Sequence, residues 1–218
     1  MFVTLEGIDR SGKTTQAALL ARALGPDTLL LREPGGTPVG ERVRELLLDP
    51  ALELGPAVEL LLFSAARAAL CGEVIWPAIE TGGDVVCDRF IDSTAAYQGG
   101  AGGLGIEHVE RFNEVVVREC VPDVTVLLRI DADEAERRGQ QRLAAGEADG
   151  ADRFEGAGIE FQRAVAAAYE ELAGRHPDRI VAVDGTGEIG QVHARVMEAV
   201  TTRPSHAVGS IDHEEHGE

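Results

Sequence analysis

The stretch "EGIDRSGKTT", residues 6–15, sets Gly7, Gly12, Lys13 and Thr14 in the spacing G-x-x-x-x-G-K-[ST]. Each residue type has a physical task there. Glycines let the backbone wrap so that successive N–H groups point inward at phosphate oxygens. A helix starting at the end of the loop adds its positive N-terminal end. The Lys13 ammonium brings a compact charge to β- and γ-phosphates, and the Thr14 hydroxyl is a ligand for Mg²⁺. The whole run Gly7, Ile8, Asp9, Arg10, Ser11, Gly12, Lys13, Thr14, Thr15 is therefore a candidate nucleoside-triphosphate cradle. Lys13 is also the only lysine in the chain, all the other cations among the 20 Lys+Arg being arginine. A nest shaped around a point charge does not accept a planar guanidinium fork. The surviving lysine marks a place where that swap fails. The loop implies a nucleoside triphosphate and leaves the reaction open.

Three further pairs have chemistry in reach. Asp9 and Arg10 lie inside the loop. Arg10 facing the γ-phosphate would act as an arginine finger in cis, and Asp9 would position Mg²⁺ or hold an arginine. The plain alternative is a pair of solvated loop charges. In "VVCDRF", Asp88 and Arg89 follow an apolar run. An acid at that place can reach Mg²⁺ or its waters, and the arginine suits a second phosphate. A structural ion pair is the alternative. Phe63 and Arg67 stand i,i+4 on one helix face. Together they could stack on and hydrogen-bond a planar base. The competing reading is a core phenylalanine and a surface arginine.

The elements that must position these residues are legible in the apolar pattern. Short apolar runs at Phe2–Glu6, Thr28–Arg32, Asp84–Asp88, Val124–Ile130 and Arg179–Asp184 read as buried strands, with helical spacing between them. Five strands alternating with helices predict an α/β domain with a five-stranded parallel sheet and helices on both faces. Ligands bind beyond the carboxyl ends of such strands. "EVIWPAIETGG" is expected to kink or restart near Pro77, and "IEHVERFNEVVVREC" to form one amphipathic helix. The Gly- and Ala-rich segment from Ala144 to Gly158 is a candidate lid, placed at about 143–156. One domain is expected over 1–200. The polar, aperiodic tail 201–218 is expected to be disordered.

Composition sets outer bounds. The chain has 218 residues, 44% of them hydrophobic, which suits one globular domain. A formal net charge of −18 opposes binding to nucleic acid or to anionic membranes, although a few cations converging in one cleft would still take an anion. Three cysteines with no metal-like spacing fit a reducing compartment. No apolar run reaches the ~18 residues of a membrane helix, and the N-terminus lacks the pattern of a secretory signal. The chain is therefore read as cytoplasmic.

"EGIDRSGKTTQ", "LREPGGTPVGERVRELLL", "FSAARAAL", "CDRFIDSTAAYQGG" and "DRFE" occur here in one order. As a set, from about Phe2 to Val200, they closely resemble the thymidylate kinases, nucleoside monophosphate kinases that phosphorylate dTMP. The resemblance implies a three-layer P-loop kinase fold with a short lid, ATP and dTMP as substrates, Mg²⁺, and a homodimer built from helix faces, with 106–120 one candidate surface. It implies that Asp9, Arg10, Lys13 and Arg89 are catalytic. Phe63 would stack on thymine, and Arg67 would hydrogen-bond its edge. Arg89, with Asp9 and Arg44, would position the dTMP phosphate. Tyr97 would lie under the deoxyribose, Ser93, Thr94 and Gln98 would line the pocket, and Pro34 would shape its edge. Thr14, Asp88 and Glu155 would serve the metal, and Asp184 to Thr186 would lie near adenine. Some relatives carry a catalytic arginine in the phosphate loop and others in the lid. Arg10 and the lack of any basic residue in "LAAGEADGAD" favour the loop type, with Arg142 and Arg153 as fallbacks. The run "GGAGGLG" lacks the basic residue that many relatives have there.

Overall fold

The structure, a computed structural model, describes residues 1–146 and 158–203. The core of the expected lid, with Arg153 and Glu155, and nearly all of the expected tail lie outside the described residues.

Five strands form one parallel sheet: β1 (Phe2–Glu6), β2 (Leu29–Arg32), β3 (Val85–Asp88), β4 (Val124–Arg129) and β5 (Ile180–Asp184). Their order is β2-β3-β1-β4-β5. β1 lies in the middle and pairs on one side with β3, Leu5 opposite Asp88, and on the other with β4, Glu6 opposite Leu127. The chain direction across the sheet reverses at β1. Such a switch point opens a crevice at the strands' carboxyl ends. The phosphate loop leaves β1 there, and Asp88 closes β3 beside it.

Alternation along the strands sorts the core into two faces. Val3, Leu5, Val86, Val124, Val126 and Leu128 pack against α1 (Lys13–Leu24) and α9 (Ile189–Thr201). Phe2, Val85, Cys87 and Leu127 face the opposite way. That side is covered by the chain through α3 (Pro56–Leu70), α6 (Ile106–Val117) and α8 (Ile159–Arg175). α2 (Pro38–Leu48) packs on α3, and its Thr37 cap accepts from the Gly40 N–H at 2.9 Å. α7 (Ala132–Ala144) opens on an Asp131 cap that accepts from the Glu134 N–H at 2.7 Å.

The five strands fall where the apolar runs predict, each within a residue at either end. Three local expectations are corrected. β2 is an edge strand, with Leu29 and Leu30 exposed, because its apolar run has a neighbour on one side alone. α3 passes through a π-helical turn, Cys71–Ile75, into α4 (Trp76–Glu80), so the irregularity precedes Pro77, which lies in the first turn of α4. α6 stops at Val117, where Arg118 turns to φ 51°. The short α5 (Ile91–Thr94) and the π-helical segment Ala95–Ala101 were not anticipated. They carry Ser93, Thr94, Tyr97 and Gln98. The segment packs closely on α8: a Cβ on Gly100 would lie 2.4 Å from Ala168 Cβ. A basic side chain has no room at Gly100, which accounts for a glycine there.

Candidate functional site

A cleft of about 980 Å³ opens at the carboxyl ends of β1 and β3. From the loop, Asp9, Arg10, Gly12, Lys13, Thr14 and Thr15 line it. From the far side come Pro34, Arg44, Phe63, Arg67, Asp88, Arg89, Ser93, Thr94, Tyr97 and Gln98. Residues from distant parts of the chain therefore meet around one space. Gly7, Ile8 and Ser11 are buried behind the wall as the backbone of the loop. Asp184 is exposed and outside the lining, where it accepts from Thr186 N at 2.9 Å and Thr186 Oγ1 at 2.7 Å. Arg142, a fallback cation, also reaches the cleft.

In the loop, Lys13 Nζ donates to Ile8 O at 2.7 Å. Burial lowers its pKa to about 8, and the nearby Arg89 adds to the shift; Asp9 and Asp88 oppose it. Thr14 Oγ1 donates to Asp88 Oδ2 at 2.5 Å. The other carboxylate oxygen, Asp88 Oδ1, is buried with no hydrogen-bond partner among the described residues. A hydroxyl and a carboxylate side by side, one carboxylate oxygen unsatisfied, are hard oxygen donors of the kind Mg²⁺ uses together with substrate phosphates. No group of three or more His, Cys, Asp or Glu among the described residues forms a metal cage.

Arg89 has the left-handed φ of 70°. Its guanidinium donates to Asp9 Oδ1, to Tyr97 OH at 3.3 Å and to Ser93 Oγ at 3.2 Å, and it lies 5.1 Å from the centre of the Tyr97 ring. Tyr97 OH donates to Asp9 Oδ1 at 3.0 Å. Burial works to raise the Asp9 pKa, but Arg89 and Lys13 outweigh it and hold the carboxyl below its ordinary value. Asp9 thus remains an anion that orients Arg89. The solvated-charge reading of Asp9 does not hold.

Arg67 is 1% exposed, so it is not the surface arginine of the plainer reading. Its Nε and Nη2 donate to Glu33, at 2.9 and 2.6 Å. Nη1 donates to Thr94 Oγ1 and Asn113 Oδ1, both at 3.0 Å, and Nη2 donates also to Phe90 O at 2.9 Å. Its donors bind the 33–34 loop to α5 and α6. A base edge can reach Arg67 only by sharing one of them. Phe63 is half-buried on the same helix face and lines the cleft. Gln98 Nε2 donates to Glu59 Oε2 at 2.8 Å, while Gln98 Oε1 is buried without a partner among the described residues. Arg44 donates to Pro34 O at 3.1 Å, next to the cis Glu33–Pro34 peptide.

The thymidylate kinase family model matches residues 5–196. The chain belongs to the thymidylate kinase family. It is 45% identical over 202 residues to a thymidylate kinase of Caldanaerobacter subterraneus, covering 91% of this chain and 94% of that one. It is 42% identical over 210 residues to one from Deinococcus radiodurans, covering 93% and 97%. The crystal structure of a thymidylate kinase from Ehrlichia chaffeensis superposes with a TM-score of 0.73 at 34% identity, covering 92% of this chain and 98% of that one.

In this thymidylate kinase family chain, further residues that the sequence reading did not single out hold the site together. Gln162 on α8 donates to Asp9 Oδ2 at 2.7 Å and accepts from Asp9 N at 3.3 Å. Arg138 on α7 donates to the loop carbonyls Arg10 O and Ser11 O, each at 3.4 Å, and to Gly185 O at 2.9 Å. Glu6 is fully buried under the loop. It accepts from Phe90 N at 2.7 Å, Ser93 Oγ at 2.6 Å and Tyr169 OH at 2.7 Å. Burial, with Asp92 adding to it, raises the Glu6 pKa to about 7. Glu6 carries the same signature as Asp88, an acid ending an apolar strand. Gln162 and Arg138 carry no local signal.

Proposed function

We propose that this chain transfers the γ-phosphoryl group of ATP to dTMP, giving ADP and dTDP for dTTP synthesis. The observation that carries the reading is the shared cleft. The phosphate loop and a phosphate-sized cation site at Arg89 face the same space as Phe63 and Gln98. Eight of the lining residues are cationic and three acidic, in a chain of net charge −18. That local excess suits two polyanionic substrates meeting there.

A nucleotide phosphate is already ionised, so the attack needs no strong base and no covalent enzyme intermediate. Positioning and charge neutralisation supply the rate. Lys13 holds the β- and γ-phosphates. Arg89, oriented by Asp9 and Tyr97, holds the acceptor phosphate in line. Arg10 neutralises charge on the group in transfer. Thr14 and Asp88 would hold Mg²⁺, which when bound screens the phosphate charges; the Asp88 oxygen left without a partner supports that fit. Glu155 is kept as a candidate for the same task, Asp184 as a neighbour of adenine, and 143–156 as a lid over a 1–200 domain.

The reading places the enzyme in the cytoplasm. Its three described cysteines are free and buried, and no described helix is long and apolar enough to cross a membrane. It also makes the enzyme a homodimer. Val39 and Leu46 on α2, Val58 and Leu61 on α3, and Phe112 and Val115 on α6 are exposed, and these helices pack side by side.

The test is ADP production from Mg-ATP with dTMP, dUMP, dCMP, dGMP, UMP or thymidine. Strong stimulation by dTMP, with at most weak stimulation by dUMP, is expected. Slow ATP loss unaffected by any acceptor would instead indicate a nucleotide-dependent switch.

A further inference from the structure

Helix α7 has one glycine, Gly139, in the middle of the sequence "ADEAERRGQQRLA". A helix-interior glycine is costly in conformational entropy and contributes no side chain. What lies against it explains its presence. A Cβ built on Gly139 would lie 2.5 Å from Arg10 Cζ, 2.5 Å from Arg10 Nη1 and 2.6 Å from Arg10 Nε. The Arg10 guanidinium therefore rests against the bare backbone of the helix. One turn earlier, Glu136 Oε2 lies 3.5 Å from Arg10 Nη1. Arg138, the adjacent residue, holds the Arg10 carbonyl at 3.4 Å. Helix α7 thus fixes both the backbone and the side chain of this loop residue, and the Arg10 side chain is only 20% exposed.

We infer that Gly139 is a positioning residue for phosphoryl transfer: the missing side chain is a seat that sets where the Arg10 guanidinium stands at the edge of the cleft. This rests on the reading of Arg10 as the cation that meets the transferring phosphoryl group. It assigns the contribution of α7 to a residue with no functional group of its own. The three atoms nearest to a methyl group at 139 all belong to the far end of a flexible side chain. The helix can accept it, and Arg10 must move.

Gly139→Ala tests the seat, because helix propensity and the seat predict opposite results. If Gly139 is only a helix residue, alanine raises the melting temperature and leaves turnover unchanged. If it is the seat, the melting temperature holds or rises while kcat falls. A displaced catalytic group costs on the order of 10- to 100-fold, so that loss is expected, with KM for ATP changing by less than about threefold. Gly174→Ala on α8, where an added Cβ meets nothing within 4 Å, is the matched control and should keep the parent kcat. In an Arg10→Ala background, Gly139→Ala should add no further loss, measured by single-turnover dTDP formation. Parent-like kcat in Gly139→Ala overturns the inference, as does an undiminished loss in the Arg10→Ala background. Parent-like kcat in Arg10→Ala overturns the reading beneath it, and the seat with it.

Discussion

Lys13 carries its charge at a cost that the site needs. Its pKa of about 8 lies below the ordinary 10.5 because the ammonium is buried next to Arg89. A lysine lowered by folding is protonated in the folded chain below about pH 8 and in the unfolded chain up to about 10.5. Folding is therefore penalised at neutral pH, by about 3 kcal/mol at 1.36 kcal/mol per unit, and relieved as pH rises between the two values. Lys13→Met should abolish turnover yet melt at or above the parent temperature, with the loss of the Ile8 carbonyl contact offsetting part of the gain. A melting point several degrees lower would contradict this. The same residue sets a basic limb. Above about pH 8 the free enzyme must take up a proton to bind triphosphate, so kcat/KM for ATP should fall up to tenfold per unit. A profile flat from pH 7 to 9.5 would show that Lys13 stays charged. The residue's importance is visible in the sequence as the one lysine in a motif. Its partner Gln162 is not: 153 positions separate it from Asp9, and a glutamine in mid-helix looks like any solvated residue. The surface reading of Arg67 fails for a related reason. The acid that draws it inside, Glu33, lies 34 residues away.

At the scale of elements, β1 and the loop after it are tightly constrained by β4. Gly7 has φ +140°, and a Cβ there would lie 2.6 Å from Leu128 O, a strand carbonyl that cannot give way. Gly7→Ala should cost about 2–4 kcal/mol in unfolding free energy and weaken ATP binding together with it. Urea titration checks the first and ATP titration the second; a variant within about 0.5 kcal/mol of the parent would mean the strand end is pliant. Strand and helix positions were legible because periodicity is local. The β2 edge was not, since exposure depends on strand order and a run of leucines reads alike at an edge or a centre. The π-helical segment Ala95–Ala101 was also hidden. Its Gly102 N–H donates to Tyr97 O at 2.7 Å, a wider turn that leaves no residue-type signature.

For the whole molecule, a chain of net charge −18 concentrates cations in one cleft and exposes apolar side chains along α2, α3 and α6. A stable pair of chains buries about 1,200–2,000 Å². If the α2–α3–α6 surface supplies it, Leu61→Glu with Val115→Glu should sediment as a monomer at micromolar concentration where the parent sediments as a dimer. A monomeric parent would remove the dimer from the account. The central claim is transfer to dTMP rather than to water. The direct measurement is chromatography of the products of Mg-ATP with and without dTMP. The account predicts dTDP and ADP in equal amounts, and almost no ADP when dTMP is left out. ADP formed without dTDP would contradict it.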